Sequence, residues 1–548
     1  MSIPPDLLCF PFIALYAETH FRFFRLFPSL LFKRWPEVLF DLPKRLDPGV
    51  ADLPVILIAN DIDRFPVTLS DCSIVVSQTQ QKPKRFDFPD IMRFEVEHPL
   101  HKSMSVFQIR IPRTELPVGP VHITATVAIS RRNKRRIVIN DNFWGTYKYP
   151  FSCFIADEPL PGSEICSYGD LHVHSLYSQS HVEFGPPLQI IDQMTKANGF
   201  DFCAITDHSY DLAAAVNDYL TPDPEHNRWR LFLSEFDKNS TFQSIILPGE
   251  EISCLNAKGE VVHLCGLKLH DFIPGNLDGA RKGRQRDPQL SLAEAIKKIH
   301  VQGGVAIPAH PGARMGFMQR FFLARGNWSQ PDLMQHVDGM QIMNNGISSL
   351  FDNGKALWIN ILQKGYKVPL IAGNDAHGDF NRYRAITTPF LNISDRQDRF
   401  FGNGKTGMYG RPGSIEGICA AIRLGKTFIT TGPFLSLSLS GSPSSEQAIS
   451  HSPISHEINR IFVHIRSSAE FGNIGEVKVF SGVKGSEEES VVFSRNYSNE
   501  NRFSIDAEID LNSLNKSTLY LRAEAECNSP QKLPSKAFTS PVYFAKDI

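Results

Sequence analysis

Two imidazoles on alternate residues, in Asp170-Leu171-His172-Val173-His174-Ser175, are the groups of this chain best suited to hold a metal ion. Side chains two apart on a strand share a face, so His172 and His174 can grip one ion between them. Alone the pair is a weak signal. It is followed in order by Thr206-Asp207-His208, Gly249-Glu250-Glu251, His263, Ala309-His310-Pro311 and Asn374-Asp375-Ala376-His377, and each group closes a short apolar run. A lone His263 on an alternating strand is more often a satisfied histidine; its place in the series makes it a ligand candidate. Zn, Mn and Fe accept imidazole and carboxylate together, and six histidines mixed with Asp and Glu suit two or three such divalent ions. Glu251 is the expected bridging carboxylate and Glu250 the second choice, because strand alternation turns only one of two neighbours inward. Water on such ions becomes a hydroxide nucleophile near neutral pH. Asp207 or His208 is a candidate proton donor to the leaving group. Asp170 and Asp207 are also placed to accept the second N–H of ligating imidazoles. Arg314, and Arg382 or Arg384, could meet an anionic substrate, although each is more often a surface arginine. The chain shows no G-x-S-x-G elbow and no Walker-type glycine loop.

These residues need elements that bring them to one place. From about residue 165 the pattern alternates strand and helix. Leu188 to Asn198 has helical spacing with Gly199 as its stop, and 201–206 reads as a buried strand. Strands follow at 245–248, 261–269, 305–308, 339–343, 368–372 and 427–430. Helices are expected from the capping box Ser291-Leu-Ala-Glu294 through Gln302, from Leu350 to Gln363 and from Gly413 to Leu424. Such alternation predicts a parallel sheet or barrel with its site at the carboxyl ends of the strands, which is where each group lies.

The flanks read differently. Residues 1–160 hold alternating β patterns at 54–59, 106–111 and 121–127, and a Phe-rich stretch, Leu15 to Phe32, that is either helical or an edge. The linker Asp157 to Ser163, with two prolines and a glycine, ends this domain. After Gly432-Pro433, alternating strands at 461–465, 477–480 and 519–523 predict a second β-sandwich over 433–548, leaving 161–432 as the central domain.

With 548 residues, two to four domains are expected. A net charge of −1 gives no field that favours nucleic acid or an acidic membrane. The basic run Arg131 to Arg136 lacks interleaved aromatics and is expected to be a solvated hairpin loop. Nine scattered cysteines, an odd number without a C-x-x-C, fit a reduced, cytoplasmic compartment. No run reaches the roughly eighteen apolar residues of a membrane span, so a soluble protein is expected.

The ordered series resembles the PHP (polymerase and histidinol phosphatase) family. Its D-L-H-x-H-S, I-T-D-H, G-x-E, P-A-H-P and G-S-D-A-H motifs are matched at Asp170–Ser175, Ile205–His208, Gly249–Glu251, Pro308–Pro311 and Gly373–His377, with Asn374 in place of the family's Ser. The likeness covers about 165 to 432. Gly425 to Pro433, followed by a β tail, is similar to the carbaryl-hydrolase-like (CehA/McbA) branch. The resemblance implies an α/β fold, a distorted (β/α)7 barrel, here flanked by N-terminal and C-terminal β-sandwich-like domains. It also implies a first ion on His172, His174, Glu251 and Asp375, a second on Glu251, His263 and His310, and a third on His208 and His377 with a ligand from the loop after His174. His181 would supply that ligand, where many relatives carry Asp. Gln341-Ile-Met-Asn344 carries an amide where relatives often have a carboxylate. The function implied is metal-dependent hydrolysis of a phosphate ester, on a small and anionic substrate. A carboxyl or carbamate ester or amide hydrolase is the alternative, and a non-catalytic metal-binding scaffold a further one.

Overall fold

The computed structural model describes residues 35–79, 81–88, 93–94, 104–142, 149–178, 185–238, 241–275, 290–317, 320, 325–378, 380–381, 384–388, 391–395, 400–439, 454–455, 458–530 and 535–545. The expectations for Leu15 to Phe32, Cys9 and His181 fall outside these residues. The side chains of Arg382 and Arg384 do so as well.

Two sheets form the N-terminal unit. One orders Glu37–Asp41, Asp52–Asn60, Met104–Pro112 and Arg93–Phe94; the other carries Arg45–Leu46, Phe151–Ile155, Gly119–Arg131, Thr68–Ser77 and Lys84–Phe88, with Lys134–Ile139 alongside. Strand 52–60 is apolar almost throughout because both its faces are buried. Leu53, Val55 and Leu57 pack into the core between the two sheets, whereas Ile56 and Ile58 join the core of the central unit. The basic run is the turn of the hairpin 119–131/134–139, with Arg132 and Asn133 at positive φ.

The central unit corrects the barrel expectation. Strand accounts for 45% and helix for 16%, with seven helices among the described residues, and no closed barrel forms. Cys166–His174, Phe202–His208 and Ile245–Leu255 are parallel neighbours, linked by crossovers that carry the helices Leu188–Ala197 and Asn227–Lys238. The alternation then stops. Ile245–Leu255 returns directly into Val261–Leu267 as an antiparallel hairpin, and Val305–Pro308 is antiparallel again. The turn chemistry explains the switch: the Asn256 side chain accepts from Lys258 N and Glu260 N (both 2.9 Å), and Gly259 sits at φ 70°. On the other side Cys166–His174 pairs antiparallel with Lys405–Tyr409. Met340–Asn344 and Leu370–Gly373 pair in parallel with each other as a separate two-stranded sheet.

The central sheet runs on into the C-terminal strands. Thr427–Thr430 pairs with Lys405–Tyr409 and with Ser535–Thr539, beyond which lie Thr518–Asn528, Asn473–Val483 and Ser490–Asn496. A three-stranded sheet, Phe434–Ser438, Arg460–Arg466 and Ser504–Asp510, shares a separate core with these strands. Hydrogen bonding therefore crosses residue 433 without a break. Arg45 Nε donates to Glu470 Oε2 at 2.9 Å and ties the first unit to the last. All eight described cysteines are free and buried, and no helix among the described residues is long and apolar enough to cross a membrane.

Candidate metal centre

His172 and His174 end a strand whose nine residues are all buried. Their Nε2 atoms are 3.2 Å apart. Asp375 Oδ1 lies 3.1 Å from His174 Nε2 and 3.6 Å from His172 Nε2, and Glu251 Oε2 is 3.5 Å from both. Ligands at about 2.0–2.1 Å from a tetrahedral zinc are separated by roughly 3.3 Å from each other. The four donor atoms are thus spaced like the corners of a coordination polyhedron. This is the set that the resemblance implied for one ion, and the four side chains form a group within metal-binding distance.

Glu251 is the hub. Its Oε2 also faces His208 Nδ1 at 2.8 Å, while Oε1 faces His263 Nδ1 at 2.7 Å and His310 Nε2 at 3.2 Å. One carboxylate touches five imidazoles, the geometry of a bridge between ions. Register explains how: Glu251 lies opposite Cys265 and Ser253 opposite His263, so Glu251 and His263 are diagonal neighbours on one face. Glu250 points the other way, with Oε1 accepting from Ile273 N at 2.8 Å. His208, Glu251 and His263 form a second metal-compatible group, and His174, His208 and His377 a third. His208 therefore joins the second group as well as the third, and His174 stands in the third; His181, which the resemblance implied there, lies outside the described residues. His310 (φ 35°) and Asp375 (φ 53°) hold left-handed backbone conformations uncommon for side chains other than glycine.

The outer nitrogens show which lone pairs face inward. His172 Nδ1 meets Gln341 Oε1 at 2.8 Å, and His377 Nδ1 meets the Asp375 carbonyl at 3.1 Å. Each oxygen fixes the N–H on Nδ1 and leaves Nε2 as the donor to an ion. His174 Nδ1 contacts Ser178 Oγ at 2.9 Å. Gln341 thus does with an amide what a carboxylate would do, without adding charge. Gln341→Ala is expected to weaken metal affinity by roughly 10–100-fold with the fold intact, as measured by competition with a chelating dye; unchanged affinity would remove Gln341 from the site.

Asp170 and Asp207, each hydrogen-bonded to the backbone next to a candidate ligand, are fully buried. Asp170 accepts from His172 N, Asn374 N and Asn374 Nδ2, at 3.1, 3.1 and 2.5 Å. Burial pushes its pKa up to about 6 against these hydrogen bonds. Asn374 is the residue that clamps it. Asp207 accepts from Ser175 N, Ser175 Oγ and Ser178 N, at 2.7, 2.5 and 3.0 Å. Both its oxygens are engaged, so its visible work is to shape the turn that presents Ser178 to His174. Arg314 follows Ala309-His310-Pro311-Gly312-Ala313 and is exposed. Sequence reasoning did not single out Ser178, Cys265 or Arg325, whose only sequence signal is nearness to a motif.

Electrostatics follow from the crowding. Burial opposes charge on Glu251, but His263, His172 and His208 outweigh it and hold its pKa well below the usual carboxylate range. Burial likewise opposes charge on His172, yet the Cys265 sulfur and Glu251 raise its pKa well above 6.5. Burial and the neighbouring His208 depress His174 to about 3. In the metal-free protein the surroundings thus favour the charged form of His172 and the neutral form of His174. The raised His172 pKa stabilises the metal-free fold below 6.5, a contribution lost as pH rises through the folded value. The depressed His174 pKa acts oppositely, its contribution fading as pH falls from 6.5 towards 3. Because a ligand must be deprotonated, metal binding is expected to release protons, His172 among the donors, and affinity should rise with pH. Calorimetric titrations in buffers of different ionisation enthalpy measure this; zero release would contradict it.

One other histidine makes a chemically suggestive chain. Ser438 Oγ, His464 and Asp506 are joined by contacts of 2.7 Å at Nε2 and 2.7 Å at Nδ1, the order found in serine hydrolases. Ser438 and His464 are fully buried between strands, so the chain links the sheet 434–438/460–466/504–510.

Fold and site together define a mostly β protein carrying a buried imidazole–carboxylate cluster compatible with divalent metal binding. No protein-family model matches the chain, and no curated protein matches it.

Proposed function

We propose that this chain is a metal-dependent hydrolase acting on a phosphate ester. The observation that carries the reading is the four-donor polyhedron of His172, His174, Glu251 and Asp375, which shares Glu251 with His208, His263 and His310. Two or three divalent ions (Zn, Mn or Fe) fit the nitrogen and oxygen donors. When bound they would lower the pKa of a water and polarise the substrate's phosphoryl oxygen. The chain's own residues hold the ligands in register. Asp170 and Asn374 lock the backbone of His172, and Asp207 locks the Ser175–Ser178 turn. His208, stacked on Tyr210 with ring centroids 4.7 Å apart, lies at the edge of the cluster, where we assign it proton transfer to the leaving group if it is not occupied as a ligand. The motif series supports a PHP-like site; the barrel is no part of the reading. Buried free cysteines support a reducing compartment, the cytoplasm.

Elemental analysis of purified protein, coupled to a panel of phosphate monoesters and aryl carboxyl esters, tests the proposal. Bound metal with phosphate release is expected, both abolished in His172→Ala. Turnover confined to carboxyl esters would shift the substrate class. Full metal retention in the His172→Ala/Asp375→Ala double variant would defeat the site altogether.

A further inference from the structure

A cleft of about 450 Å3 lies where the strands 305–308, 340–344 and 370–373 begin, whereas His310, Asp375 and His377 of the imidazole–carboxylate cluster follow strand ends. Its volume falls in the range of small-molecule pockets, about 300–1,000 Å3. Buried Leu333, Val337 and Val368 give it an apolar floor. Two turns make its walls. One carries His336 at φ 36°, and the other carries Gly365 at φ 92° beside Tyr366. A left-handed histidine is uncommon, and such strain gathers at ligand-binding turns. Both walls are fixed by the fold itself. Trp358 Nε1 donates to Val368 O at 2.8 Å, Asp338 N to Ala306 O at 2.9 Å and Met340 N to Pro369 O at 2.9 Å. The cleft is therefore preformed, and a ligand would not have to order it.

The rim sets the chemistry. Among the described residues, the side chains of His336 and Tyr366 make no hydrogen bond, and both line the cleft. Their rings offer flat faces to a flat ligand. Lys367 stands beside them, its Nζ 4.9 Å from the centre of the Tyr543 ring, and it forms no ion pair among the described residues. Asp338 also lines the cleft, but its carboxylate is already engaged. Oδ2 accepts from Ala306 N and meets His300 Nε2, both at 2.8 Å, and Oδ1 lies 3.5 Å from Arg423 Nε. The charge left to a ligand is the Lys367 ammonium, above an apolar floor. We propose that this cleft binds a small organic anion with a flat apolar body, of the aromatic carboxylate class, at a site separate from the imidazole–carboxylate cluster. The ring would lie on the floor between His336 and Tyr366, and the carboxylate would meet Lys367. This site stands whether or not the hydrolase reading does.

The test uses the full chain, with benzoate as the probe and benzyl alcohol and acetate as its neutral and ring-free counterparts. Affinities are read by calorimetry for wild type, Lys367→Gln and Tyr366→Ala. Both substitutions fall on exposed side chains, so the fold should survive them. Wild type is expected to bind benzoate at millimolar concentration, and more tightly than either counterpart. Lys367→Gln should weaken benzoate by roughly three- to tenfold and leave benzyl alcohol unchanged. Tyr366→Ala should weaken both, because it removes a ring face. A wild type that binds no benzoate at millimolar concentration overturns the proposal, as does one that binds benzyl alcohol equally well. Equal benzoate affinity in wild type and Lys367→Gln overturns it too. So does benzoate binding that disappears when metal is stripped with a chelator, since the carboxylate would then sit on the metal centre.

Discussion

Replacing Glu251 by glutamine is expected to cost the protein at least one bound ion and to lower phosphate-ester hydrolysis by more than about 100-fold, beyond what loss of an outer-shell partner costs. Glutamine keeps the shape but offers one acceptor oxygen and an NH2 group, which cannot donate a lone pair to an ion. Five imidazoles converge on the two oxygens it replaces, at 2.7 to 3.5 Å. The effect should reach the metal-free protein too. His172 owes part of its raised pKa to Glu251, and removing one partner of a buried charged set costs about 3–5 kcal/mol. Urea unfolding of metal-free wild type and variant measures this, and elemental analysis measures the lost ion. A variant with wild-type metal content and turnover would show that Glu251 bridges nothing.

Gly373→Ala should be nearly as damaging, although it touches no charge. A Cβ at this position would lie 2.5 Å from His172 Cβ and 3.0 Å from both His172 N and Gln341 Nε2. His172 cannot retreat, because its strand is buried along its whole length and its backbone N–H is held by Asp170. Either the strand 370–373 moves away or His172 leaves its place among the donors. Overpacking of this kind costs about 1–3 kcal/mol, and a shift of about 1 Å at a positioned group can cost about a hundredfold in rate. Gly346→Ala is the internal control, since a Cβ there meets nothing within 4 Å. The expected result is a lowered melting temperature and reduced metal content in Gly373→Ala, with Gly346→Ala close to wild type. A Gly373→Ala protein as stable and as metal-rich as wild type would mean that strand 370–373 does not press on the ligand.

The local elements were legible because their signals are local. The capping box at Ser291 and Glu294 opens a helix at Leu292, with Ser291 Oγ accepting from Glu294 N. Gly199, at φ 80°, ends the helix 188–197. The residues of the imidazole–carboxylate cluster were legible for a similar reason: alternation puts His172 and His174 on one face, and each later group ends an apolar run. What misled was the step from alternating elements to a closed barrel. Periodicity says that a segment is a strand, but not which strand it will pair with, nor in which direction. A five-residue turn held by Asn256 was enough to replace a helical crossover with a hairpin, and it converted a parallel expectation into an antiparallel sheet.

By itself the sequence determined the types of donor group and their order, because donor chemistry resides in side chains and facing resides in a two-residue period. Only the tertiary structure decided that five imidazoles converge on Glu251, that Gln341 and Ser178 hold the outer nitrogens, and that Arg325 leans on His263. Those contacts join residues 4 to 169 positions apart, and such distances are closed by packing and register rather than by any local pattern. The site was thus written along the strands, while its charge balance came from the way the sheet folds.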